Sequence, residues 1–135
     1  MRTLKKSAFA AFFKFRSMKN IAPKIYRQRL LIEGFYTIKA DKKAIQAYFK
    51  QICTELKLKA YGKPIIFSPG GTGKKKNQGY DAFIPLIDSG MSVYIWSHAK
   101  FFSGIIYTCK GFDTKKAVAF TKKFFRMKKL VSASF

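Results

Sequence analysis

The stretch Leu86-Ile87-Asp88-Ser89-Gly90-Met91-Ser92-Val93-Tyr94-Ile95-Trp96 decides how this chain is read. Apolar residues alternate with small or polar ones, so the run reads as a strand, a tight turn at Asp88-Ser89-Gly90, and a second strand. An acid followed by a hydroxyl at a hairpin corner is ordinary turn chemistry, because both side chains can hydrogen-bond local backbone. Tyr107-Thr108-Cys109 falls on the strand after that.

Working outward, the pattern predicts strands at 80–87, 91–97 and 102–109 joined by short turns. Upstream, Leu30 to Ile38 reads as an apolar strand with Glu33 inside it. Asp41 is placed to cap a helix, since its carboxylate can accept from first-turn amides. Ile45, Tyr48, Phe49, Ile52, Cys53 and Leu56 follow at helical spacing and form one apolar face, which makes Cys53 a small core residue. Lys63 to Ser68 reads as a short strand before a Gly- and Lys-rich loop, 69–79. That loop is no phosphate-binding loop: Ser68 stands where the first glycine belongs, Lys75 stands where Ser or Thr should follow Lys74, and no helix pattern comes next. Downstream, Asp113 reads as a second cap, for a helix with Ala117, Val118, Phe120, Phe124 and Phe125 inward. Val131, Ala133 and Phe135 alternate with Ser132 and Ser134 as a last strand. This order predicts an α+β two-layer sandwich, a mainly antiparallel sheet with two helices on one face. The other face must be solvated or used for association, and with 17% aromatic residues a homodimer is expected.

With 135 residues there is one core, and 48% apolar residues exclude a disordered tail. The net charge is +22, from 28 Lys and Arg against 6 Asp and Glu, and it is spread along the whole sequence. Such an excess attracts anions and raises non-specific affinity for nucleic acid or acidic membrane, without implying sequence-specific recognition. Two cysteines and one histidine make neither a disulfide framework nor a metal site, and reduced, cytoplasmic conditions fit. Residues 1–28 carry eight Lys or Arg, no acid, and Phe9, Phe12, Phe13 and Phe15. They read as a basic, amphipathic extension able to touch an anionic surface, too short and too charged to span a bilayer, with 29–135 as the folded domain.

The motif around Asp88-Ser89 resembles the processing site of the prokaryotic S-adenosylmethionine decarboxylases. That family has an acid-serine pair, an alternating strand ending in Thr-Trp-Pro-Glu, and a Thr-Cys-Gly on the neighbouring strand. Here Asp88-Ser89, Trp96 and Thr108-Cys109 fall at those places, and Arg29 to Tyr36 resembles the family's first strand with its acid at Glu33. The resemblance implies autocatalytic cleavage between Asp88 and Ser89, with Ser89 becoming a pyruvoyl group. It implies decarboxylation of S-adenosylmethionine or a related amino-acid cation in polyamine biosynthesis, with Cys109 returning a proton to the product. On the residues alone, Cys109 is instead a buried strand cysteine. A cationic sulfonium substrate calls for local acids and aromatic faces, for which Glu33, Asp81, Asp88, Phe35, Tyr94 and Trp96 are available.

The sequence departs from the family at three places. Tyr94 stands where a histidine takes the Cα proton during maturation, and a phenol is a poor base at neutral pH. Asp81 replaces a serine that assists cleavage. Trp96-Ser97-His98 replaces Trp-Pro-Glu, which removes a ribose-binding carboxylate and leaves His98 on a rim or turn. Two alternatives stand beside the decarboxylase: an unprocessed homologue that binds a ligand or partner or acts without pyruvoyl, which Tyr94 and His98 support, and a basic module for RNA or membrane surfaces, which only the charge supports.

Overall fold

A computed structural model describes residues 18–68 and 78–135 of the chain. The elements in order are β1 (Gln28–Phe35), α1 (Lys42–Leu56), β2 (Ile65–Phe67), β3 (Gly79–Leu86), β4 (Ser89–Trp96), β5 (Phe101–Thr108), α2 (Thr114–Phe125) and β6 (Lys129–Ser134). The six strands form one sheet in the order β2-β3-β4-β5-β1-β6, every neighbouring pair antiparallel. Both helices cover one face, so the molecule is the expected two-layer α+β sandwich. Most of the basic extension and the centre of the Gly/Lys-rich loop lie outside the described residues.

Both helices start where a carboxylate can serve their free amides. Asp41 accepts from the Ala44 N–H at 2.9 Å and Asp113 from the Lys116 N–H at 3.0 Å. All six apolar positions expected on α1 are buried. On α2, Ala117, Thr121 and Phe125 are buried, while Val118, Phe120 and Phe124 pack at the margin. The two helices meet at Tyr48, whose ring lies 4.9 Å from Phe125 and 5.4 Å from Phe124. Its hydroxyl shares a hydrogen bond of 2.8 Å with Thr121 Oγ1. Burial holds the Tyr48 phenol well above its ordinary pKa.

Strand alternation sorts the sheet into two faces. Leu30 and Ile32, Ala82 and Ile84, Met91, Val93 and Ile95, and Phe102 and Ile106 turn towards the helices and are buried. The other face is open and aromatic: Phe35, Phe67, Phe83, Tyr94 and Tyr107 on it are each more than a third exposed. Gly34 lets the α2–β6 turn come down onto β1, since a Cβ there would lie 2.6 Å from Met127 Sδ and 2.7 Å from the Lys129 carbonyl oxygen.

Two sequence expectations shift. The hairpin turn is Ile87-Asp88, not Asp88-Ser89-Gly90, because Ser89 and Gly90 are already paired in β4, opposite Leu86 and Pro85 on one side and Thr108 and Tyr107 on the other. β2 shrinks to Ile65–Phe67, in keeping with Pro64 having no N–H to give a ladder. In β6 the pairing of Leu30 with Ser134 and Ile32 with Ser132 puts the serines on the helix side and leaves Val131 on the open face.

Candidate active site

The end of the sheet where β3 turns into β4 gathers the residues that the motif singled out. Ile87 and Asp88 make the turn, and the Ile87 N–H bonds the Lys59 carbonyl at 3.0 Å. Asp88 has φ +57°, a left-handed conformation that aspartate tolerates better than most residues and that stores some strain. Ser89 opens β4 opposite Thr108. Its Oγ is buried and has no hydrogen-bond partner, so this hydroxyl is committed to no structural task. The Cys109 backbone N–H donates to the Asp88 carbonyl at 3.2 Å. That carbonyl belongs to the peptide bond joining Asp88 to Ser89.

Cys109 lies one residue past the end of β5, and its thiol is exposed. The reading as a buried strand cysteine is therefore overturned; Thr108 is the fully buried residue at this point. The segment after Cys109 is tied down from both sides. Thr108 Oγ1 donates to the Lys110 carbonyl. The Gln28 side chain grips Phe112 twice, with Nε2 donating to its carbonyl at 2.8 Å and Oε1 accepting from its N–H at 3.0 Å. Composition and spacing gave no hint of Gln28, because its role depends on β1 running beside β5.

A shallow depression of about 350 Å³ opens beside this end, bounded by Phe83, Asp88, Ser89, Gly90, Ser92, Ile105 and Tyr107. Most of these residues belong to the open face, and the Asp88-Ser89 peptide borders the depression. Gly90 keeps the floor low: a Cβ would come within 3.0 Å of the Phe83 ring.

The remaining sequence-predicted residues form a separate row across the open face. Glu33 pairs with Ser103, Ser103 with Tyr94, and Tyr94 with Asp81 in successive strands. Ser103 Oγ donates to Glu33 Oε2 at 2.7 Å. Trp96 lies further along β4 against Phe101, with ring centroids 5.4 Å apart. His98 is exposed in the turn between β4 and β5. Tyr94 is five residues along the strand from Ser89, roughly 16 Å, and its side chain is on the other face. Within one chain Ser89, Asp88 and Cys109 are thus together, and Glu33, Asp81, Tyr94, Trp96 and His98 are apart from them. Arg29, which sequence reasoning missed, shares the open face with Tyr107 and Gly90; its guanidinium carbon is 5.3 Å from the Phe135 ring centre, and its buried Nε has no partner.

Comparison with known proteins agrees with this architecture. The family model described as S-adenosylmethionine decarboxylase matches residues 30–135. The chain therefore belongs to the S-adenosylmethionine decarboxylase family. A similar solved structure is the crystal structure of the adenosylmethionine decarboxylase from Aquifex aeolicus VF5. It superposes with a TM-score of 0.64 at 13% identity, over 82% of this chain and 89% of that one, a likeness of fold. No curated protein matches the chain in sequence.

Proposed function

We propose that this chain cleaves itself between Asp88 and Ser89 and then decarboxylates S-adenosylmethionine or a closely related amino-acid cation. The observation that carries this reading is a buried, unpartnered Ser89 hydroxyl next to an Asp88 carbonyl that accepts the Cys109 N–H. The hydroxyl oxygen attacks the Asp88 carbonyl carbon and the bond to the Ser89 nitrogen breaks, leaving an ester. The N–H of Cys109 stabilises negative charge on the carbonyl oxygen as it develops. Loss of the Ser89 Cα proton then expels Asp88 as a free carboxylate. The dehydrated residue takes up water and releases ammonia, which leaves a pyruvoyl group.

The uncommitted hydroxyl and the left-handed Asp88 fit the formation of that group. Once formed, it supplies an electron sink for the departure of carbon dioxide. Cys109, exposed beside the same peptide, is the proton donor to product. Arg29 suits the substrate carboxylate, and Glu33 and Asp81 suit its positive charges. These acids are too far from Ser89 to serve it in the same chain, so they would reach the site only from a second copy that covers the open face and wraps over the β3–β4 end of the sheet. The exposed aromatic residues there support a homodimer.

Intact mass spectrometry of the purified protein tests the reading. Two fragments meeting at Asp88-Ser89, the second carrying a carbonyl-reactive end, are expected. A single 15.5 kDa species inert to carbonyl reagents overturns it. Tyr94 at the position of the maturation base favours a second reading, an unprocessed homologue that binds the same class of ligand, and the single-species outcome would select it.

A further inference from the structure

Among the described residues, the two broad faces of the sandwich differ in charge. The open sheet face carries Arg29 and Lys129 against Glu33 and Asp81, and is close to neutral. The helix layer is different. On α2 and its cap, Lys115, Lys116, Lys122, Lys123 and Arg126 are all exposed. On α1 and its C-cap, Lys42, Lys43, Lys50 and Lys57 are exposed, with Glu55 among them and Asp41 at the N-cap. No ion pair joins these cations to a carboxylate among the described residues.

The helices lie antiparallel, because the turn leading from β1 into α1 bonds the end of α2: the Thr37 N–H meets the Phe125 carbonyl at 3.2 Å. The two rows of cations therefore run side by side on one outer surface. Only part of this placement serves the helices. Lys122 and Lys123 in the last turn of α2 suit the helix dipole. Lys42, Lys43, Lys115 and Lys116 sit in first turns, beside the capping Asp41 and Asp113, where the dipole disfavours positive charge.

We infer that the helix layer binds the phosphate backbone of nucleic acid without reading its sequence. Lysine ammonium groups on a broad ridge match phosphates as point charges and release counterions on binding. Binding by insertion into a membrane does not fit, since none of the large exposed apolar side chains lies on α1 or α2. Base stacking is not expected either, for the same reason. The surface lies opposite the open sheet face, so this binding is independent of the decarboxylase reading.

The test is fluorescence anisotropy of the full chain with mixed-sequence RNA and DNA oligonucleotides across a salt series. Affinity should fall steeply and linearly on a log–log plot, with little preference among sequences. Replacing Lys115, Lys116, Lys122 and Lys123 together with Gln should weaken binding at least about tenfold and flatten the salt slope by roughly 0.7–0.9 for each phosphate that is no longer neutralised. Replacing the same four with Arg should preserve it, which separates charge from folding. Replacing Lys5, Lys6, Lys14 and Arg16 with Gln should change it little. Loss of binding in the N-terminal variant with retention in the α2 Gln variant overturns the inference. So does binding to phosphatidylserine vesicles with none to either nucleic acid.

Discussion

The backbone N–H of Cys109 donates to the carbonyl of Asp88 at 3.2 Å, so the residue proposed to protonate product also holds the carbonyl proposed to be attacked. On that proposal, maturation and turnover depend on one corner of the sheet. Ser89→Ala removes the nucleophile, and the expected product is one uncleaved chain on a denaturing gel. Cys109→Ala keeps the backbone donor, so it should still cleave while losing most of its turnover. A Cys109→Ala chain that stays intact would assign the thiol to maturation instead.

Gln28 should behave as a positioning residue. Its amide satisfies both backbone groups of Phe112 and fixes the path of the chain just after Cys109. Gln28→Ala leaves that N–H and carbonyl without partners, which costs about 1–3 kcal/mol when such groups are shielded from water. The melting temperature should drop, and self-cleavage should slow relative to wild type at a temperature where both are folded. Gln28→Glu keeps the acceptor and loses the donor, so it should fall between the two.

How much of this was legible beforehand depends on which interaction fixed each feature. The caps at Asp41 and Asp113 and the buried stripe of α1 are local, and they follow from residues three or four positions apart. The Ile87-Asp88 turn is not local. Ser89 and Gly90 look like turn residues, and only the pairing with Thr108 and Tyr107 draws them into β4. The same holds for β6, whose alternation does not say which side is covered until pairing with β1 puts Ser132 and Ser134 on the helix side. Alternation reveals strands, but with apolar residues on both faces it does not say which face is covered. The open-face row of Glu33, Ser103, Tyr94 and Asp81 draws on four strands, so it appears only once the sheet order is known.

Alkaline pH should unfold the protein through Tyr48. Burial, the larger cause, raises its pKa, and the hydrogen bond with Thr121 partly offsets this. The unfolded phenol ionises near pH 10, so above that point the unfolded chain loses a proton that the folded one keeps. The stability from this group is complete below about pH 10 and declines as pH rises beyond it. Burial raises the thiol of Cys53 in the same sense. Tyr48→Phe should cost about 1 kcal/mol at neutral pH, from the lost hydrogen bond, and should make denaturation above pH 10 less steep. Circular dichroism melts between neutral pH and pH 11 would show both effects, and an unchanged alkaline slope would remove Tyr48 as the cause.

The open sheet face gives the sharpest prediction about assembly. Phe83 is 43% exposed, so a lysine there costs little in the folded monomer, yet it would put a charge in the middle of a stacked interface. Phe83→Lys should therefore shift the protein to monomers in sedimentation velocity while its melting temperature at low concentration changes little. If Glu33 and Asp81 act on the site of a second copy, the monomer should also lose turnover. Mixing Glu33→Gln chains with Ser89→Ala chains gives the decisive comparison. In a mixed dimer the intact Ser89 of one chain meets the intact Glu33 of the other, so mixing should restore activity that neither variant shows alone. Activity no greater than the sum of the separate proteins would mean that each chain serves itself.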